Sequence, residues 1–348
     1  MTVIDYKAAG VDVEAGNEAV RRIKTLAEKT FSPRVLTPIG GFGAIYDIKA
    51  AFAPYDHPVL VQSIDGVGTK IKVARMMGKF DTIGIDLVSA TANDIVAMGA
   101  TPLTLLDYLA NDKLNPDVVE QIISGISQAC LENGISLIGG ETAEMPGTYL
   151  PGEYDLVGVV TGIVEKDQII SGASIVPGDV VLGLSSSGMH TNGYSLARKL
   201  FFEVAGLQVD SWHPELEATV GEILLAPHIN YTKPVLKCLQ NKLEIKGMAH
   251  ITGGGFIHNI PRILPGNCAV EITQGTWPIA PLFDVLRHLG DLNLHSLYQT
   301  FNMGIGLVMI ASPEMAEQLK ESLASFAEFK VYEIGQVVAS HQKEVRIL

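Results

Sequence analysis

Six glycine-bearing segments combine residue types that could hold phosphate and metal ions. Asp65-Gly-Val-Gly-Thr-Lys70 directly follows the apolar run Pro58–Ile64. A carboxylate at a strand end can ligate magnesium, the glycines let backbone approach a ligand, and Lys70 could contact phosphate. A hairpin turn signalled by Asp-Gly is the alternative. The segment is not a P-loop, because GxxxxGK[ST] is absent. Asn93-Asp94 lies within GIDLVSATANDIVAMGA, where Asp86 and Asp94 fall roughly on one face of a helix. Charges in such an apolar, small-residue segment are costly unless paired or bound to a cation. Asp94 is the metal candidate, and an exposed helix face or a cap accounts for Asp86. Gly139-Gly140-Glu141-Thr142 follows the strand-like ISLI and places another carboxylate at a strand exit, with a capped loop or salt bridge as the alternative. Asp65, Asp94 and Glu141 could jointly hold magnesium between nucleotide phosphates.

The strongest local signal is Ser185-Ser-Ser-Gly-Met-His-Thr-Asn-Gly193, between a strand pattern and a helix pattern. Free N–H groups at a helix start favour anions, and Ser187, His190 and Asn192 add donors beyond what one N-cap needs. Gly40-Gly41-Phe42-Gly43 could cover phosphates. Thr252-Gly253-Gly-Gly255 precedes another candidate helix start, with His250 beside it, and a flexible connection is its alternative. No GxSxG, HExxH or GxGxxG after a first strand is present, which removes support for hydrolase, zincin and Rossmann readings.

Alternating strands and helices must position these segments. Pro58–Ile64 reads as a short buried strand, Val118–Leu131 as a helix stopped by Asn133-Gly134, and Ile135–Ile138 and Tyr154–Val164 as strands. A polar, turn-rich stretch at 165–179 sets a domain boundary near Ile170, giving expected domains 1–170 and 171–348. The second half begins with the strand Val180–Leu184. Helices are expected at Gly193–Val204, Glu215–Leu225, Pro281–Leu289 and Pro313–Phe326, and strands at Cys268–Thr273, Gly306–Ile310 and Val331–Val338. The class is α+β in two domains.

Composition narrows the partners. The chain has 348 residues, 47% hydrophobic and 18% charged, which excludes a disordered chain. A net charge of −13 disfavours nucleic acid and anionic membranes, so any bound phosphate must be held by local donors or a metal. No apolar stretch is long enough to span a membrane, and the N-terminus has no signal-peptide pattern. Cys130, Cys238 and Cys268 are far apart without a CxxC pair, which argues against disulfides or a zinc site and fits a reducing cytoplasm.

Together the motifs closely resemble the phosphoribosylformylglycinamidine cyclo-ligase (AIR synthetase) family over nearly the whole chain. The resemblance rests on Tyr6–Asn17, GGFGA, DGVGTK, Asp81–Val88, Asn93-Asp94, GGETAEMPG, SSGMHTNGYSL, HITGGGF and TFNMGIG. DGVGTK-like and GG[DE]T-like motifs recur in related ATP users such as thiamine-monophosphate kinase and selenophosphate synthetase. The latter needs an early reactive cysteine, and the first one here is Cys130. Met189 and Thr191 stand where the family often has Pro and Ser. The resemblance implies an N-terminal α/β domain whose strands pair across a homodimer into a shared barrel, and a C-terminal α/β sandwich. It implies ATP-dependent ring closure of a ribonucleotide, with ATP and Mg2+ required and K+ left open. By the same resemblance, Asp65, Asp94 and Glu141 organise Mg-ATP, and Lys70 and Lys24 meet nucleotide phosphates. Gly41 and Gly43 close over ATP. Ser187, His190, Asn192 and Gly193 hold the substrate, with Thr252 and Gly253 in the same pocket. A non-catalytic nucleotide-binding regulator is the reading from another class.

Overall fold

A computed structural model describes residues 10–348, and the start of the Tyr6–Asn17 motif lies outside them. The chain divides into two compact units, Met1–Ile95 with Thr101–Lys166, and Val96–Ala100 with Asp167–Leu348. The sequence suggests a single crossing near Ile170. The structure adds a short excursion at 96–100, where Val96 and Ala97 join the core of the second unit.

The first unit holds α1 (Val13–Lys29), α2 (Ile48–Phe52), β1 (Pro58–Gly66), α3 (Lys70–Met77), α4 (Asp81–Val96), β2 (Thr101–Asn111), α5 (Pro116–Asn133), β3 (Ser136–Glu144) and β4 (Tyr154–Glu165). Helix α5 shows why the local code works. Asn115 caps its first turn by accepting from the Asp117 N–H, Pro116 opens it, and Gly134 ends it at φ 69°. Its apolar stripe, including Ile122, Ile123 and Ile126, is buried. Helices α4 and α5 touch backbone to backbone at Gly84 and Gly125. A Cβ on Gly84 would sit 2.7 Å from the Ile126 nitrogen, so the small residues of the GIDLVSA segment serve close helix packing.

The sheet runs β1-β4-β2-β3. The β1/β4 and β4/β2 pairs are antiparallel, and β2/β3 is parallel, joined through α5. Strand β1 is an edge strand rather than a buried one: Leu60 and Ile64 are 59% and 67% exposed. Strand β2, TPLTLLDYLAN, has no two-residue alternation to mark it, because an interior strand is covered on both sides over much of its length. The register Ile64–Val159–Leu106 sets one apolar face outward. The opposite face, with Leu105, Val160 and Leu156, is buried.

The second unit holds β5 (Val180–Ser185), α6 (Tyr194–Arg198), β6 (Trp212–His213), β7 (Ala218–Thr219), α7 (Val220–Leu224), α8 (Thr232–Gln240), β8 (Gly247–His250), α9 (Gly255–Asn259), β9 (Cys268–Ile272), α10 (Pro281–Gly290), α11 (Leu294–Thr300), β10 (Ile305–Ala311), α12 (Pro313–Leu323), β11 (Val331–Ala339) and β12 (Val345–Ile347). Its six-stranded sheet runs β12-β9-β11-β5-β10-β8. Every residue of β10 is buried, so both faces are covered. Leu182, Leu184, Leu307 and Met309 form one core layer with α8 and α12 residues such as Val235 and Leu319. Three expected helices are shorter than the sequence suggests, the one from Pro313 ending at Leu323 and not at Phe326. The 193–204 stretch is α6 followed by a wider π-type turn at Lys199–Val204. The 215–225 stretch begins its helix only at Val220, where Thr219 and Glu222 form a reciprocal capping box.

Candidate active site

The first unit gathers two of the three expected magnesium carboxylates. Asp65 lies at the end of β1, and Asp94 in the last turn of α4. Ser63, two residues before Asp65 on the same strand face, donates its hydroxyl to Asp94 Oδ2 at 2.8 Å. Asp65 also accepts from the Gly66 N–H at 2.8 Å. Both carboxylates are half-buried. Hard oxygen donors of this kind fit magnesium. Glu141 is placed differently. Strand β3 does not stop at Ile138 but carries Gly139–Glu144 within the sheet, with Glu141 opposite Tyr108 and Gly140 opposite Asp107. Asp107 and Asp65 are both opposite Gly158. Side chains alternate along a strand, so Glu141 projects from the outward face and Asp65 from the helix-covered one. Among the described residues of one chain, the three carboxylates do not converge on a single point.

The structure places Lys70 in the interior. It opens α3 with its side chain fully buried, and its Nζ lies 2.7 Å from Asp86 Oδ2, also fully buried. Burial pushes the Lys70 ammonium down, and the Asp86 charge opposes that shift. Asp86 is therefore neither an exposed helix-face residue nor a cap. Two charges in an apolar segment are tolerated because they neutralise each other. Lys24 is half-exposed on α1, 3.8 Å from Glu28. Gly41 and Gly43 flank a fully exposed Phe42.

Asp107 gave no signal in the sequence, since it sits in an unmarked strand. It is 9% exposed. Burial raises its carboxyl to about 7. The folded protein therefore binds a proton that the unfolded chain releases near its ordinary value of 3.8. Stability from this group is full below that value and is lost as pH rises to about 7. Asp107→Asn should remove this loss. Urea unfolding at pH 5 and pH 8 should show the variant gaining on the wild type between the two, by about 2–3 kcal/mol. Parallel pH profiles would contradict the assignment.

In the second unit, the loop from Ser186 to Gly193 is held from several sides. Ser186 donates to the Gly188 carbonyl at 2.8 Å, as does Asn302 Nδ2. Ser187 Oγ donates to the Pro227 carbonyl. Its N–H donates to His190 Nε2 at 3.4 Å. Gly193, at φ 82°, lies against the Phe301 ring, where a Cβ would collide. A Cβ on Gly253 would stand 3.2 Å from Asn192 Oδ1, so the Thr252–Gly253 loop adjoins the Asn192 end of this loop. Asn259 Nδ2 donates to the carbonyls of Thr252, Gly253 and Gly255, shaping that turn. Ser187 and Gly253 are exposed, and Asn192, Gly193 and Thr252 half-exposed. His190 departs from this pattern: it is 1% exposed, with its ring stacked on His228 at 3.9 Å between centroids. The sequence missed His228, Asn259 and Asn302. Asn302 lies within the TFNMGIG motif, which could have flagged it, and His228 could have been flagged by its residue type.

Residues 176–347 match the AIR synthase related protein, C-terminal domain, and residues 46–164 the N-terminal domain. A phosphoribosylformylglycinamidine cyclo-ligase of Syntrophotalea carbinolica is 49% identical over 338 residues, 97% of this chain and 95% of that protein. One of Thermoanaerobacter pseudethanolicus is 50% identical over 337 residues, 97% of this chain and 98% of that protein. A hydrogenase maturation protein, HypE, solved in complex with ATP, has the same fold at a TM-score of 0.65 and 20% identity, covering 91% of this chain and 86% of its own. Both halves of the chain, at near-full-length identity, thus place it in the phosphoribosylformylglycinamidine cyclo-ligase family of AIR synthase related proteins.

Proposed function

We infer that this chain catalyses ATP-dependent ring closure of formylglycinamidine ribonucleotide to 5-aminoimidazole ribonucleotide, with release of ADP and phosphate, in de novo purine synthesis. The near-full-length identity of 49% and 50% to named cyclo-ligases carries this reading. The chemistry needs ATP because an amide oxygen is a poor leaving group. Transfer of the γ-phosphoryl group to the formyl oxygen, with loss of the amide proton, gives an iminophosphate. The ribosyl-bearing amidine nitrogen then attacks its carbon, and the C–O bond breaks as phosphate leaves with the electron pair. Proton loss from the ring and tautomerisation complete the aromatic amine. The protein's part is positioning and charge neutralisation.

Asp65 and Asp94 are proposed as the carboxylates facing Mg-ATP, where magnesium would neutralise phosphate charge. Gly41 and Gly43 would cover the nucleotide, and Lys24 would approach its phosphates by leaving Glu28. Lys70 is assigned a positioning role, holding the start of α3 through Asp86. Ser187, Asn192, Gly193, Thr252 and Gly253 would bind the ribonucleotide, with its phosphate the expected contact. His190 supports the loop from below. The uncovered face of the first unit's sheet supports a homodimer. Leu60, Ile64 and Leu106 are 59%, 67% and 42% exposed on it. Pairing two such faces into a barrel would bury them, each contributing about 1.5–3 kcal/mol at full burial. Glu141 projects from the same face, so in this reading it reaches the nucleotide only once two chains pair. A cytoplasmic location belongs to the same reading. Among the described residues no helix is long and apolar enough to cross a membrane.

Two measurements test this. Turnover of the ribonucleotide with Mg-ATP should release ADP and diazo-reactive amine in equal amounts; ADP without amine would point to a kinase or ATPase instead. Light scattering at micromolar concentration should give a dimer for the wild type and a monomer for Ile64→Asp. A monomeric wild type would remove the shared barrel.

A further inference from the structure

Three imidazoles meet inside the second unit, and the ring closure derived above does not use them together. His190 comes from the loop after β5, His228 from the loop between α7 and α8, and His250 from the end of β8. They are 1%, 2% and 7% exposed. One donor atom from each lies within 4.8 Å of the others, and among the described residues no other set of three or more His, Cys, Asp or Glu side chains converges in this way. We propose that His190, His228 and His250 form a binding site for one divalent transition-metal ion of the zinc class.

One pair of nitrogens already stands at the separation such an ion needs. Two nitrogens bound at about 2.0–2.1 Å in a tetrahedral site stand about 3.3 Å apart. His228 Nε2 and His250 Nε2 are 3.1 Å apart. In the metal-free protein one of them carries the hydrogen between them. An ion takes the place of that hydrogen once His250 carries its proton on Nδ1. The Thr191 hydroxyl lies 3.5 Å from His228 Nδ1. A proton on Nδ1 facing that oxygen leaves the Nε2 lone pair for the metal, the usual outer-sphere arrangement of a ligating histidine. The His190 ring lies stacked on His228 and its Nε2 accepts the Ser187 N–H, so this third ligand must turn out of the stack to join the other two. Its backbone is held at φ 59°, an uncommon conformation for a residue other than glycine. Across β10, Gly306 leaves room for this convergence: a Cβ there would collide with the His190 ring and the Tyr231 hydroxyl. Three imidazole nitrogens suit Zn2+, Co2+, Ni2+ or Cu2+ and not Mg2+, which takes oxygen donors.

The test uses the untagged full chain, stripped with a chelator and titrated with Co2+ alone. One equivalent should bind and give the visible absorption of cobalt with nitrogen ligands, and excess Mg2+ should leave it in place. His228→Gln and His250→Gln should each weaken binding by at least about 100-fold, since losing only an outer-sphere partner costs 10–100-fold. Should either variant fail to fold, as judged by near-ultraviolet circular dichroism, Thr191→Val supplies the comparison, with binding about 10–100-fold weaker. No visible band in the wild type, equal binding in the variants, or displacement by Mg2+ would each overturn the proposal. None of these readouts involves turnover, so the site stands or falls independently of the ring-closing reaction.

Discussion

Asp94→Ala should lower turnover by about 10²–10³-fold with ATP and magnesium saturating, the usual cost of removing one well-placed electrostatic group. The side chain is half-buried in the last turn of α4, and its Oδ2 accepts the Ser63 hydroxyl at 2.8 Å. That bond ties it to the strand bearing Asp65. The structural loss should be small, because Ser63 is also half-buried and water can replace the carboxylate as its partner. Asp94→Asn separates charge from shape. It can still accept from Ser63 but carries no negative charge, so it should fall nearly as far as the alanine variant. Steady-state kinetics over a magnesium titration decides the matter. Near-normal turnover in either variant at saturating magnesium would take Asp94 out of the nucleotide site.

Lys70→Ala and Asp86→Ala should each destabilise the protein by about 3–5 kcal/mol, because each removes the opposite charge 2.7 Å from a fully buried one. Both side chains are fully buried, with 2.7 Å between Nζ and Oδ2. The pair itself contributes far less than this, since desolvation of two ions offsets most of their attraction. The double variant Lys70→Met/Asp86→Leu should therefore recover most of the stability in urea unfolding. The same variant separates two roles for Lys70. A positioning residue replaced by packed side chains leaves ATP affinity within a few-fold of wild type. If the double variant folds stably but loses ATP binding, Lys70 reaches the phosphates in the working enzyme, and the buried pair is only one of its states.

Local chemistry made much of this protein legible from sequence. The Gly134 stop of α5 needs only neighbouring residues and is read correctly, whereas the helix begins at Pro116, two residues before the expected Val118. Strand β4 alternates cleanly and was equally clear. The loop around Ser187 and Asn192 declared itself by an excess of donors between a strand and a helix. Strand β2 was not legible, because a near-continuous apolar run has no period to read. Lys70 and Asp86 were legible as charged residues, but their roles were not, since their pairing joins the start of one helix to the middle of another.

The sequence by itself determined the two-unit α+β organisation, the family, the reaction that family performs, and the loops rich in hydrogen-bond donors. These follow from short-range residue order, which sequence states directly. Only the tertiary structure decided which charges meet. It turned Lys70 inward to Asp86, bonded Ser63 to Asp94, and sent Glu141 to the other face of the sheet through a register that no local pattern specifies. It also brought together three histidines separated by up to sixty residues, where the scattered cysteines had argued against a zinc site. Metal ligands are recognisable in sequence when their spacing is short. Here the ligand set is assembled by a sheet and two loops, and folding alone creates it.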